Sequence, residues 1–159
     1  PDGEGTTNLA GTWDEATGAL DVELLAPAFT ADVQTTILPD PVPTTMTLTQ
    51  VAGGHGTLDP ATGELTVELS IDTHLTSPDP LFALFLGPDC RLGPATMTLT
   101  TAVPFDLTGV EPVGTVGAAG FDFPAVRGCG TNGDLDATLD PALGLPTDDT
   151  ESSMTFAIV

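Results

Sequence analysis

Apolar and polar residues alternate along most of this chain. Leu20, Val22 and Leu24 interleave with Asp21 and Glu23, and Leu65, Val67, Leu69 and Ile71 interleave with Thr66, Glu68, Ser70 and Asp72. A period of two puts one set in a core and the other in water, the signature of half-buried strands. Residues 45–49 and 96–100 both read Thr-Met-Thr-Leu-Thr and repeat the pattern. The alternation and its Gly/Pro breaks predict strands over 6–13, 19–25, 28–37, 44–51, 56–59, 64–75, 82–86, 95–101, 105–108, 117–123, 133–139 and 152–159. Many short strands with turn signals between them form antiparallel sandwiches or barrels.

A repeat supports this reading. Residues 11–24 and 56–69 match at ten of fourteen positions with an offset of 45, sharing a Gly-Thr-x-Asp-x-Ala-Thr-Gly core. Asp at the start of such a turn accepts hydrogen bonds from N–H groups two or three residues on, and the closing Gly adopts positive φ. Each copy therefore reads as a hairpin, and residues 139–144 nearly repeat its turn. Prolines at 39, 41 and 43 and at 78 and 80 mark extended crossings within one domain spanning residues 1–159. The expected architecture is an all-β antiparallel sandwich, Ig-like or jelly-roll-like, with a small β-barrel as the alternative.

Composition narrows the classes of function. The 159 residues carry two Arg, no Lys and 23 Asp plus Glu, a formal charge of −21, while 40% are hydrophobic. A chain this apolar folds despite its charge. Two cations are too few to displace the counterions of a nucleic acid, and anionic lipid repels such a protein. No apolar run is long enough for a transmembrane helix, since the longest covers residues 81–86. The acidity reads either as a solubility device or as adaptation to high salt. The first residue is Pro1, with no basic or apolar leader in front of it, as in an exported chain whose signal peptide has been removed. Cys90 and Cys129 have one possible intramolecular pairing, which an oxidising exterior favours; two buried thiols are the alternative.

Candidate chemistry is sparse. His55 and His74 lie nineteen residues apart, His55 in a loop after Gly53-Gly54 and His74 on a wet face beside Asp72, and no Gly-x-Ser-x-Gly is present. A serine nucleophile with a histidine base is not indicated. Two carboxylates suffice for a glycoside hydrolase, but one Trp and no Tyr leave little for a sugar platform. Asp134, Asp136, Asp140, Asp148, Asp149 and Glu151 offer oxygens for Ca²⁺, set against a plain acidic face. Arg91 and Arg127 lie within two residues of the cysteines, and they pair with neighbours such as Asp89 and Asp122 or, alternatively, recognise an anion. Leu81, Phe82, Leu84 and Phe85 belong to an unbroken apolar run that is either a strand buried on both faces or a contact surface for a partner or lipid.

Residues 56–69, the Phe-Leu-Gly-Pro-Asp-Cys-Arg segment at 85–91 and the Pro-Ala-Val-Arg-Gly-Cys-Gly segment at 124–130 resemble a group of exported all-β proteins of actinobacteria. The resemblance spans most of residues 9–159 and rests on turns, glycines and one cysteine pair. It implies export and a Cys90–Cys129 bridge, and implies no activity. The acidity and the Asp148-Asp149 loop depart from that group. The reading is a non-catalytic secreted or cell-surface structural and interaction module. Its partner is itself, as a homo-oligomer, or another envelope protein, with lipid or Ca²⁺ binding as the alternative.

Overall fold

The computed structural model describes residues 8–25, 28–33, 42–107, 114–147 and 153–158. Their strands are β1 (Asn8–Trp13), β2 (Ala19–Leu25), β3 (Ala28–Val33), β4 (Val42–Leu58), β5 (Leu65–Thr76), β6 (Arg91–Thr101), β7 (Gly114–Ala119), β8 (Val126–Arg127) and β9 (Ser153–Ile158). Two short helices accompany them, α1 (Pro80–Leu86) and α2 (Asp136–Leu143). Across the sheet the order is β2-β1-β9-β7-β6-β5-β4-β3, and a further β2–β4 pairing joins the two sides into a barrel-like ring. The all-β antiparallel expectation holds, in its barrel form. One pair runs parallel, β1 with β9.

The repeated hairpins share one turn device. Asp14 Oδ1 accepts from Ala16 N at 2.9 Å and Asp59 Oδ1 from Ala61 N at 2.7 Å, while Gly18 and Gly63 close the turns at φ of 74° and 73°. The two hairpins then pair with each other, Ala19 with Thr57 and Asp21 with His55, which joins the ring. His55 is therefore in a strand and not in the expected loop. Gly11 and Gly56, equivalent in the repeat, let neighbouring strands approach so closely that a Cβ would lie 2.4 Å and 2.1 Å from backbone oxygens.

Strand β4 is unusually long. It covers two expected strands in one run and bends at two irregularities against β5, between Gln50 and Ala52 and between Gly53 and His55. Where β4 leaves β2, Gln50 stands in for a backbone rung. Its Oε1 accepts from Leu24 N at 2.8 Å, and its Nε2 donates to Val22 O and Gly53 O at 3.3 and 3.2 Å.

The ring is filled by side chains. Leu9, Leu20, Leu58, Leu65, Val67, Leu69, Ile71, Met97, Leu99, Val116 and Phe156 pack in one cluster. Phe105 joins them through a loop whose backbone N–H donates to Gly63 O at 2.9 Å, where residues 105–108 were expected to form a strand. A second cluster caps the end of the barrel where β5 finishes. It contains Leu75, Leu86, Leu139, Val126 and the buried disulfide Cys90–Cys129.

Two expected strands are helices. Residues 82–86 lie in α1 because Asp79 caps its N-terminus and Pro80 takes its first position, a stronger local signal than the apolar run. Residues 133–139 enter α2 because Leu135, Leu139 and Leu143, spaced by four, turn one helical stripe onto the second cluster. The alternating aspartates in that stretch leave the strand pattern to hold loops. Residues 34–37 of the third expected strand lie outside the described residues.

Candidate functional site

Helix α1 is held at both ends. Asp79 Oδ1 accepts from Leu81 N at 2.8 Å and from Phe82 N at 3.2 Å. Ser77 Oγ accepts from Asp79 N and donates to Pro43 O at 2.7 Å, which ties the cap to β4. At the other end Gly130 N donates to Leu86 O at 2.7 Å, one residue beyond the disulfide. Gly87 has φ 79°, and a Cβ there would stand 2.7 Å from Gly130 O, so both conformation and space demand glycine. Leu86 points into the capping cluster and Phe82 is half-buried.

The remaining apolar side chains of α1 face water. Leu81 is 80% exposed, Leu84 81% and Phe85 47%. They form one wall of an open groove of about 350 Å³ whose other wall is Gly130, Thr131, Asp134 and Leu135. The apolar run is thus neither a two-faced core strand nor wholly surface. Leu86 and Phe82 anchor it on the capping cluster, and Leu81, Leu84 and Phe85 project.

The acidic residues near the groove brace loops. Asp134 Oδ1 accepts from Thr131 N at 2.7 Å, the two Asp136 oxygens accept from Cys129 N and Gly128 N, and Asp140 Oδ1 accepts from Val126 N at 2.8 Å. Each carboxylate satisfies backbone donors that the irregular chain around Cys129 leaves without a ladder partner. Among the described residues no three His, Cys, Asp or Glu side chains gather as a metal-binding group. Asp148, Asp149 and Glu151 lie outside the described residues.

Arg91 and Arg127 converge, as their closeness to the cysteines suggests, but on a different acid. Asp72 Oδ2 accepts from Arg91 Nη1 at 3.2 Å, and Asp72 Oδ1 accepts from Arg127 Nη2 at 3.0 Å. Asp89 and Asp122, the expected partners, make no ion pair with either arginine. Asp72 is on β5, far from both arginines in sequence, so only the pairing of β6 with β5 and with β8 brings the three together. It is 7% exposed and not on a wet face, because the arginines cover it. Period two gives its parity and not its cover.

The histidines are dispersed. His55 Nδ1 meets Asp21 Oδ1 in an exposed pair, and His74 Nε2 donates to Pro88 O at 3.0 Å. A carbonyl oxygen accepts only, so the His74 proton sits on Nε2. Among the described residues neither ring bonds a serine: Ser70 Oγ bonds Thr96 Oγ1, and Ser77 serves the α1 cap. Comparison with known proteins finds no matching family, no similar curated protein and no similar solved structure.

Proposed function

We propose that this protein is a non-catalytic interaction module of the cell exterior that engages another envelope protein through the α1 ridge. One observation carries the reading: Leu81, Leu84 and Phe85 stand in water on a helix fixed by a cap, a glycine and a disulfide-anchored loop. Fixing apolar side chains outward forgoes burial of roughly 1.5 to 3 kcal/mol for each large one, which a contact surface recovers on binding. The barrel interior is packed, which disfavours a lipid held inside it.

Charge selects the partner's chemistry. The chain carries −21, both of its arginines engage Asp72, and Asp79 and Asp134 flank the ridge. Two copies repel, whereas an apolar segment flanked by Lys or Arg gains from the same field. Strand exchange between copies is disfavoured too, because β9 pairs with β7 on one side and β1 on the other within its own chain.

The test uses a fluorescent synthetic peptide with a leucine-rich centre and lysine flanks. Its polarisation should rise with the protein, and L81S/L84S should weaken binding at least roughly tenfold, the equivalent of about 1.4 kcal/mol. The glutamate-flanked analogue should not bind. Equal binding of wild type and L81S/L84S would remove the ridge from the reading. A wild-type dimer that L81S/L84S converts to monomer in light scattering would replace the proposed partner by a second copy. Cosedimentation with phosphatidylcholine vesicles that the same variant abolishes would replace it by lipid.

A further inference from the structure

All the fixed positive charge of this chain lies on two paired strands, β6 and β8, in one rank with His74 of β5. In the ladder His74 of β5 stands opposite Arg91 of β6, and Arg91 stands opposite Arg127 of β8. Directly opposed residues share a face of the sheet. Asp72 sits beside this rank on β5 and gives one oxygen to each arginine.

The charges do not balance. Two guanidinium groups meet one carboxylate, and among the described residues no other acid lies within ion-pair distance of either. Neutralising Asp72 requires one arginine. The second leaves a unit of positive charge at a single spot on a protein of formal charge −21. Donors are in surplus as well. Each guanidinium carries five N–H groups. Arg91 uses one on Asp72, and Arg127 uses one on Asp72 and its Nε–H on Gly93 O at 3.0 Å. The Asp72 side chain is 10% exposed, while those of Arg91 and Arg127 are 37% and 52% exposed, so the carboxylate is covered and the forks reach water.

We propose that Arg91 and Arg127 form a recognition site for a carboxylate. Asp72 fixes the two planar forks from beneath, which lowers the ordering cost of binding, and the donors it leaves over match the two oxygens of a planar anion. The surrounding acidic field opposes long-range capture of anions. Binding therefore depends on paired short hydrogen bonds, which favours a carboxylate over chloride. The source of that group is a free or polymer-borne carboxylate or an acidic side chain of a second copy.

The experiment follows the arginine Nε–H resonances by NMR as sodium acetate replaces sodium chloride at constant ionic strength. Saturable shifts at Arg91 and Arg127 are expected, with affinity reduced at least roughly tenfold in R127Q and also reduced in R127K, which keeps the charge and loses the fork. D72N keeps an amide oxygen that still holds one fork and removes the negative charge that competes with the ligand, so it should strengthen acetate binding, a change that a purely structural role for the trio does not produce. Shifts that are linear, or that persist unchanged in R127Q, would overturn the proposal. Dilution of the protein without acetate separates the sources. Concentration-dependent shifts that acetate abolishes assign the carboxylate to a second copy, and concentration-independent spectra assign it to a free or polymeric ligand.

Discussion

Asp72 shows how much a single side chain organises. It is the acid that the chain buries under its two cations, and it ties β5 to β6 and β8 on the outer surface of the barrel. Hydrogen bonds to charged groups contribute about 1.5 to 3 kcal/mol each, reduced here because both arginines are partly hydrated. Asp72→Ala should cost about 2 kcal/mol by urea denaturation, and R91Q/R127Q should cost more, because it strands a covered carboxylate. An unchanged denaturation midpoint in both would mean that the trio adds nothing to stability. Asp14 acts at a smaller scale. Hydrogen bonding from the Thr17 side chain, then from Ala16 N–H, holds its carboxyl below the ordinary Asp value. The folded value lies below the unfolded one, so this contribution is present at pH above the ordinary Asp value and disappears as pH falls through the lower folded value. An NMR titration should place the Asp14 midpoint below the ordinary value in the wild type and return it upward in Thr17→Val.

Among the elements, α1 depends most on its ends. With seven residues it has too few hydrogen bonds to persist alone, and Asp79 supplies two to its orphan N–H groups. Asp79→Ala should remove about 1 kcal/mol and speed amide exchange in residues 81–86, while L81S/L84S should leave the melting temperature nearly unchanged because both side chains are exposed. A protected α1 in Asp79→Ala would shift its anchoring to Gly130 and the disulfide. The local sequence holds both helix signals, Asp79-Pro80 for α1 and the four-residue spacing of Leu135, Leu139 and Leu143 for α2. They are overridden in a reading by period two because a six-residue apolar run and an alternating aspartate series each fit a strand as well. What decides between them is the capping cluster, onto which Leu86 of α1 and Leu135, Leu139 and Leu143 at α2 pack.

At the scale of the whole molecule, the disulfide joins the cap to itself across 39 positions. Closing a loop of that length restricts the unfolded chain by about 4 kcal/mol on the chain-entropy account. C90A/C129A should lower the stability by an amount of that order in denaturant titration and leave the β-type circular dichroism intact if the barrel core suffices. Loss of all strand signal would show that the cap and barrel fold as one unit. The ring is joined through β2–β4, the contact between the two copies of the repeated hairpin, so an internal duplication in sequence becomes the seam that closes the sheet.

The sequence alone determined the inward and outward faces of the strands, the two Asp/Gly hairpins and the one possible cysteine pair. Each depends on residues a few positions apart or on there being no other choice. Tertiary structure decided that the strands close into a ring, that α1 and α2 replace strands, that Gln50 bridges the gap beside β2, and that Asp72 receives both arginines. These rest on which distant segments become neighbours. Side-chain parity along one strand does not encode that, because many strand orders bury the same alternating residues.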